Sequence, residues 1–170
     1  MLKIATLIIL ATMSAGPDLS GTYLLDKKHS DDPSHAVDDA TESMGRFRRN
    51  AARKKIGEAL KPSDTLRISV SGDTIALSTS GRLHLATVPG AEAKSRTGKN
   101  GGSVQLSSAW EGDTLVVKTT SDRFQREARY SLEAGGAAIR VAITMSGGGS
   151  GEPIHYALVY RRAETAEKSS

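Results

Sequence analysis

The fold is decided by a stretch that reads Leu66-Arg67-Ile68-Ser69-Val70-Ser71-Gly72-Asp73-Thr74-Ile75-Ala76-Leu77. On both sides of a Ser-Gly-Asp turn, apolar residues alternate with polar ones, which is the pattern of strands with one apolar face. A glycine between two polar residues permits the tight turn that joins antiparallel strands. The stretch therefore predicts a β-hairpin.

The same alternation returns along most of the chain, and we read about nine short strands. Besides the two in the hairpin, they lie at 19–25, 83–85, 104–110, 115–117, 124–132, 139–143 and 154–160. An antiparallel meander of about eight to ten strands has two edges to protect, and closure into a barrel protects both. We predict a mainly β fold in which the meander forms a barrel. An open sheet wrapped around a helix is the alternative.

One long helix is predicted over residues 33–61, inserted after the first strand. Asp32 is a good N-cap, Pro33 suits the first helical position, and Pro62 follows the end. Apolar residues recur at steps of three and four, so we expect one stripe to lie on another surface. The stripe consists of Val37, Ala40, Met44, Phe47, Ala51, Ile56 and Leu60.

The second half of this helix is strongly basic. Its cations are Arg46, Arg48, Arg49, Arg53, Lys54 and Lys55, whereas the acidic residues come earlier. This order suits the helix dipole, so a solvated face is one interpretation. The other is a contact surface for an anionic partner, either a membrane surface or an envelope protein.

The N-terminus has the three parts of a secretory signal. Lys3 is followed by an apolar run and then by small residues, with cleavage expected near Ala15 or Gly16. We therefore expect a periplasmic or secreted protein whose remaining residues, 17–170, form a single β-barrel domain. The glycine-rich and polar stretches 88–103 and 146–152 are predicted to be mobile loops within that domain.

A family resemblance rests on two motifs. Leu19-Ser20-Gly21-Thr22-Tyr23-Leu24-Leu25-Asp26 precedes a Ser30-Asp31-Asp32 stretch, and Trp110-Glu111-Gly112-Asp113-Thr114-Leu115-Val116-Val117 forms a later hairpin. Both resemble small exported bacterial lipocalin-like proteins of unknown function, in which a Gly-x-Trp strand opens a β meander. The resemblance implies a lipocalin-like barrel. It also implies that Tyr23, in place of the tryptophan, closes the barrel against Arg161 or its neighbour Arg162.

The sequence predicts neither a metal site nor a cofactor. His35, Asp38 and Asp39 share a helix face, but acidic residues are common in a first helical turn, and zinc sites have stricter spacing. His84 and His155 alternate with apolar neighbours and are expected at the surface. No nucleophile motif is present, the chain has no cysteine, and no catalytic residues are predicted, although a carboxylate pair stays open.

Arg126 breaks the pattern of its strand, because it falls in register with apolar residues. A guanidinium stays protonated and is costly to leave unpaired in an apolar interior. Either Arg126 reaches water near a strand end, or it anchors a small amphipathic or anionic ligand in a cavity. The predicted ligand-binding residues are Arg126, Tyr130, Tyr156, Tyr160 and Trp110. Nucleic acid is not expected, because aromatic residues for base stacking are few.

Overall fold

The computed structural model describes residues 16–79, 82–97, 102–133, 135–147 and 152–163, without the side chains of residues 82–84. Its described part contains ten strands and two helices. In chain order they are β1 (Gly21–Leu25), α1 (Pro33–Ala40), α2 (Arg46–Leu60), β2 (Thr65–Ser71), β3 (Thr74–Thr79), β4 (Arg82–Thr87), β5 (Lys94–Thr97), β6 (Ser103–Glu111), β7 (Thr114–Ser121), β8 (Phe124–Leu132), β9 (Ala138–Gly147) and β10 (Ile154–Arg162).

All ten strands belong to one antiparallel sheet with the order β4-β3-β2-β1-β10-β9-β8-β7-β6-β5. The predicted antiparallel meander is confirmed. The quoted hairpin is β2 and β3, and Gly72 takes a positive φ of 56° in its turn. Such an angle is easily reached only by glycine.

The sheet curls into a half-barrel, with β4 and β5 at its two ends. Among the described residues these two strands form no ladder, so the predicted closure of both edges is incomplete. Near the end of β4, the Thr87 hydroxyl lies 2.6 Å from the Ser108 hydroxyl of β6. The Gly90 amide also donates to the Ser108 carbonyl at 2.7 Å. These contacts link the segment around the end of β4 to β6, across the gap between the two edges of the sheet.

The predicted mobile loops are only partly loops. β5 lies inside 88–103, and its sequence Lys-Ser-Arg-Thr has no apolar residue that would have revealed it. β9 extends through Gly147 into the other stretch, whereas residues 148–151 lie outside the described part of the chain.

The prediction of a single helix over 33–61 is wrong, because the helix is interrupted between Ala40 and Arg46. Asp32 and Pro33 start α1 as predicted, since the Asp32 carboxylate accepts from the Ser34 amide at 2.8 Å. At the end of α1, the Thr41 hydroxyl donates back to the Val37 carbonyl at 2.8 Å. Such local bonds compete with helix continuation.

The break also changes the helix faces. Ile56 and Leu60 of α2 are buried, as are Val37 and Ala40 of α1, but Phe47 is 91% exposed. The predicted apolar stripe is therefore buried at its two ends but not at Phe47 in its middle. No described helix is both long enough and apolar enough to span a membrane.

The Ser-Asp motif continues the pairing of β10 beyond the short strand β1. The Val159 amide donates to the Ser30 hydroxyl at 2.9 Å, and the Ala157 amide donates to the Asp31 carboxylate at 2.7 Å. The Asp31 amide in turn donates to the Ala157 carbonyl at 2.8 Å. Side chains thus satisfy a strand edge that would otherwise lack partners, and they fix where α1 begins.

Candidate ligand-binding site

A cavity of about 1060 Å³ lies between the inner face of the sheet and the second half of α2. Its apolar wall comes from α2 and six strands, because alternate residues of each strand face inward. This wall includes Ile56, Leu60, Leu66, Leu77, Leu85, Val141, Ile143 and Leu158. The volume and the apolar wall suit a small organic ligand.

Four of the five predicted ligand-binding residues line this cavity: Arg126, Tyr130, Tyr156 and Tyr160. Strand β8 brings Arg126 and Tyr130 inward, and β10 brings Tyr156 and Tyr160. Arg126 is half-buried, so it meets both the cavity and its opening. Their part in binding stays a prediction.

The three tyrosine hydroxyls have different environments. The Tyr160 hydroxyl donates to the carbonyl of Ser63 at 3.1 Å. The Tyr130 hydroxyl interacts with the Arg126 guanidinium. The Tyr156 hydroxyl has no hydrogen-bond partner within the described part of the chain, and it is the one most available to a ligand.

All three tyrosines keep their protons at neutral pH. Burial raises the pKa of Tyr130 and Tyr156, although the charge of Arg126 opposes the rise in both. Burial, reinforced by Tyr130 and Tyr156, raises the pKa of Tyr160 to about 12. The cavity therefore offers neutral hydroxyl donors beside a permanent cation.

The charged residues of the cavity lining favour an anion. They are the cations Lys55, Lys61, Arg123 and Arg126 and one acid, Asp64. Asp64 is exposed and lies 3.6 Å from Lys27. In the described residues no carboxylate pairs with Arg126. Lys61 and Arg123 were not predicted as site residues, because Lys61 was assigned to the end of the predicted helix 33–61 and neither residue interrupts an apolar pattern as Arg126 does.

Trp110 does not line this cavity, so the structure does not bring it together with the other four predicted binding residues. It lies near the end of β6 opposite Leu115 of β7, whereas Thr119 and Arg126, at the other ends of β7 and β8, line the cavity. Gly16 lies against the indole so closely that a Cβ at that position would overlap it. Trp110 thus helps to fill the opposite end of the half-barrel.

Tyr23 is fully buried at that opposite end. Arg162, not Arg161, stacks over its ring at 5.0 Å from the centroid and donates to its hydroxyl at 2.8 Å. Of the two candidates, Arg162 and not Arg161 meets Tyr23, because Tyr23 is in register with Arg162, and successive residues of a strand face opposite sides. Arg161 instead bonds Asp26, and this hydrogen bond lowers the pKa of Asp26 to about 2.

The basic half of the predicted helix divides into two groups. Arg53 pairs with Asp38 of α1 at 2.7 Å, and Arg49 donates to the Met44 carbonyl at 3.1 Å. These two arginines therefore hold the helix break together. The other four cations, Arg46, Arg48, Lys54 and Lys55, are exposed.

The histidines whose side chains are described do not form a metal site. His29 pairs with Asp26 at 2.8 Å, and His155 is exposed with its Nδ1 3.1 Å from the Thr144 hydroxyl. The side chain of His84 lies outside the described part. No cluster of metal-binding side chains occurs among the residues described.

No family model and no curated protein matches this chain. Solved structures do resemble it. "REP1-NXSQ fatty acid transporter" has a TM-score of 0.55 and 16% identity, covering 87% of this chain and 98% of its own. "Human cRBP IV" has a TM-score of 0.51 and 21% identity, covering 86% of this chain and 99% of its own. The chain therefore has the fold of the fatty-acid-binding, lipocalin-like β-barrels.

Proposed function

We propose that this chain is an exported, non-enzymatic binding protein that holds a small amphipathic anion in the cavity of its half-barrel. The observation that carries this proposal is Arg126, a guanidinium with no carboxylate partner in the described structure, set among tyrosine hydroxyls. A ligand carboxylate supplies the missing charge, because charged hydrogen bonds to guanidinium are strong and geometrically matched.

The apolar wall defines the rest of the ligand. Ile56, Leu77 and Leu85 lie on different elements around the cavity. An alkyl chain bound there is therefore removed from water on several sides. One structural neighbour is named a fatty acid transporter, and a fatty acid has this combination of one acid and one apolar chain. The exposed residues Lys55, Lys61 and Arg123 belong to the lining and favour the approach of such an anion.

The test compares dodecanoate with dodecanol by isothermal titration calorimetry. We expect the wild type to prefer dodecanoate, and Arg126→Met to lower dodecanoate affinity by at least about tenfold, the loss expected for a charge-assisted hydrogen bond. Dodecanol affinity should change little. Arg140→Ala is the matched control, since Arg140 lies exposed on the outer face of β9. Equal dodecanoate affinity in Arg126→Met and the wild type would remove the anchor from the proposal.

A second function, docking on an anionic membrane surface or envelope protein, is favoured by Phe47. This ring is 91% exposed between exposed Arg46 and Arg48 at the start of α2. An exposed aromatic ring flanked by cations is typical of segments that lie in a membrane interface. The start of α2, which carries Phe47, has no buried residue, since the buried residues of this helix are Ile56 and Leu60.

Co-sedimentation with phosphatidylglycerol and phosphatidylcholine vesicles tests the membrane surface. We expect salt-sensitive binding to the anionic vesicles that falls in Phe47→Ala and in Arg46→Ala/Arg48→Ala. The control Arg67→Ala/Arg140→Ala removes the same charge from exposed strand positions. If both double variants lose binding equally, net charge rather than this surface is responsible.

A further inference from the structure

Ala128 lies between Arg126 and Tyr130 on the inner face of β8. Alternate residues of a strand share a face, so all three side chains belong to the same side of the sheet. Arg126 and Tyr130 line the cavity, whereas Ala128 does not line it and is fully buried. Neighbouring side chains therefore lie between Ala128 and the cavity.

The side chains of Arg126 and Tyr130 provide this cover. The guanidinium is hydrogen-bonded to the Tyr130 hydroxyl. Four residues along a strand span about 13 Å, which is more than either side chain reaches alone. The two side chains meet only if they lean towards each other along β8, and Ala128 lies midway between them. Their polar ends therefore meet over Ala128, in the space that a larger side chain there would occupy.

The strand register brings a third polar side chain to the same row. Ala128 is paired with Ile143 of β9, and Ile143 is paired with Tyr156 of β10. Tyr156 thus stands two strands away from Ala128, about 10 Å between Cα atoms. It lines the cavity, and its hydroxyl has no hydrogen-bond partner in the described part of the chain. A ligand carboxylate above this row can accept hydrogen bonds from the guanidinium and from this hydroxyl.

Arg126 also has an alternative position. It is half-buried and is the third residue of β8, close to the exposed Arg123 in the turn before this strand. Long cationic side chains readily turn their charged end towards water when water is within reach. A guanidinium without room over residue 128 would therefore turn outwards, away from the tyrosine hydroxyls.

We propose that Ala128 is a positioning residue that sets the preference of the cavity for an anion, because its small side chain gives the Arg126 guanidinium room to reach Tyr130. The proposal rests on the proposed function, and it names the place of the ligand anion within the cavity. It predicts that added volume at residue 128 weakens the recognition of a carboxylate without a comparable effect on an uncharged ligand.

Calorimetry with Ala128→Val tests this prediction. The ratio of dodecanoate affinity to dodecanol affinity should fall about fivefold, the factor expected for one lost hydrogen bond. In the Arg126→Met background the same substitution should not lower the ratio further, since no guanidinium remains to be displaced. Ala59→Val is the matched control, because Ala59 lines the cavity from α2, and it should change both affinities by the same factor.

Tyr130→Phe tests the same arrangement without added volume, which matters because overpacking can destabilise a buried position. It removes the hydroxyl that holds the guanidinium over Ala128. The affinity ratio should fall about threefold in the wild-type background and stay unchanged in the Arg126→Met background. Urea unfolding of each variant shows whether it is folded under the conditions of the calorimetry.

The outcomes separate this proposal from the proposed function. An unchanged ratio in folded Ala128→Val, or an equal fall of both affinities, overturns the role of Ala128. If Ala128→Val does not fold, an unchanged ratio in Tyr130→Phe overturns it instead. In these cases a lower ratio in Arg126→Met leaves the proposed function standing. If the wild type binds neither ligand, the proposed function falls, and the proposal for Ala128 falls with it.

Discussion

Removal of the Tyr23 hydroxyl should destabilise the end of the half-barrel opposite the cavity. In Tyr23→Phe the ring remains, so its stacking under Arg162 is kept. The hydroxyl makes two main bonds, one to the buried Leu19 carbonyl at 2.9 Å and one from Arg162 at 2.8 Å. The substitution therefore tests hydrogen bonding separately from packing.

The two bonds contribute unequally. Leu19 is fully buried, and a buried carbonyl left without its donor costs about 1–3 kcal/mol. Arg162 is exposed, so water replaces much of the bond that it loses. We expect a loss of about 2 kcal/mol in the free energy of unfolding, which for a chain of this size lowers Tm by roughly 4–8 °C.

Urea unfolding followed by fluorescence measures this loss, because Trp110 is the one tryptophan of the chain and lies at the same end. Circular dichroism should give the same midpoint if unfolding is two-state. Tyr156→Phe is the matched control, since it removes the hydroxyl of a cavity tyrosine that has no hydrogen-bond partner among the described residues. A loss below about 0.5 kcal/mol in Tyr23→Phe would refute the assigned role of the hydroxyl.

Three further predictions concern pH and processing. The pKa of Asp26 is about 2 in the folded chain against an ordinary 3.8. The ionised carboxylate therefore stabilises the fold at pH values above 3.8, and this contribution disappears as the pH falls towards 2. Asp26→Asn should weaken the dependence of the free energy of unfolding on pH, measured by urea titrations at about pH 2–5. Because the cavity tyrosines have raised pKa values, dodecanoate affinity measured by calorimetry should stay constant from about pH 7 to 10, and a fall near pH 9 would show an ionised phenol. If the chain is exported, intact-mass analysis of the exported protein should find Gly16 or Pro17 at its N-terminus, whereas retention of Met1 would contradict cleavage.

The strands were predictable because alternation is a local property. Phe124, Ala128 and Tyr130 have one parity and face inward together, and the same rule placed Arg126 beside them in the cavity lining. β5 was missed for the converse reason, since Lys94 and its neighbours at a sheet edge have no apolar face.

The helix break and the position of Trp110 depend on contacts that periodicity does not contain. In the sequence the apolar stripe continues through Phe47. In the structure the Thr41 hydroxyl donates back to the Val37 carbonyl at the end of α1, so α2 starts as a separate helix whose buried face is not in phase with that of α1. Trp110 has the inward parity of a cavity residue. Parity does not say at which end of the strand the cavity lies, and here Gly16 covers the indole at the other end.

Arginine and tyrosine occur together at both ends of the half-barrel, but with different consequences. At one end Arg162 donates to the Tyr23 hydroxyl and the Ser20 carbonyl, and Tyr23 donates to Leu19, so each group has a partner within the chain. In the cavity, the described residues provide no carboxylate for Arg126 and no hydrogen-bond partner for the Tyr156 hydroxyl. Polar groups away from bulk water are costly unless they are hydrogen-bonded. The satisfied pair is explained by stability alone, whereas Arg126 and the Tyr156 hydroxyl are not among the buried polar groups that lack a partner and can therefore bond water or, under the proposed function, an anionic ligand.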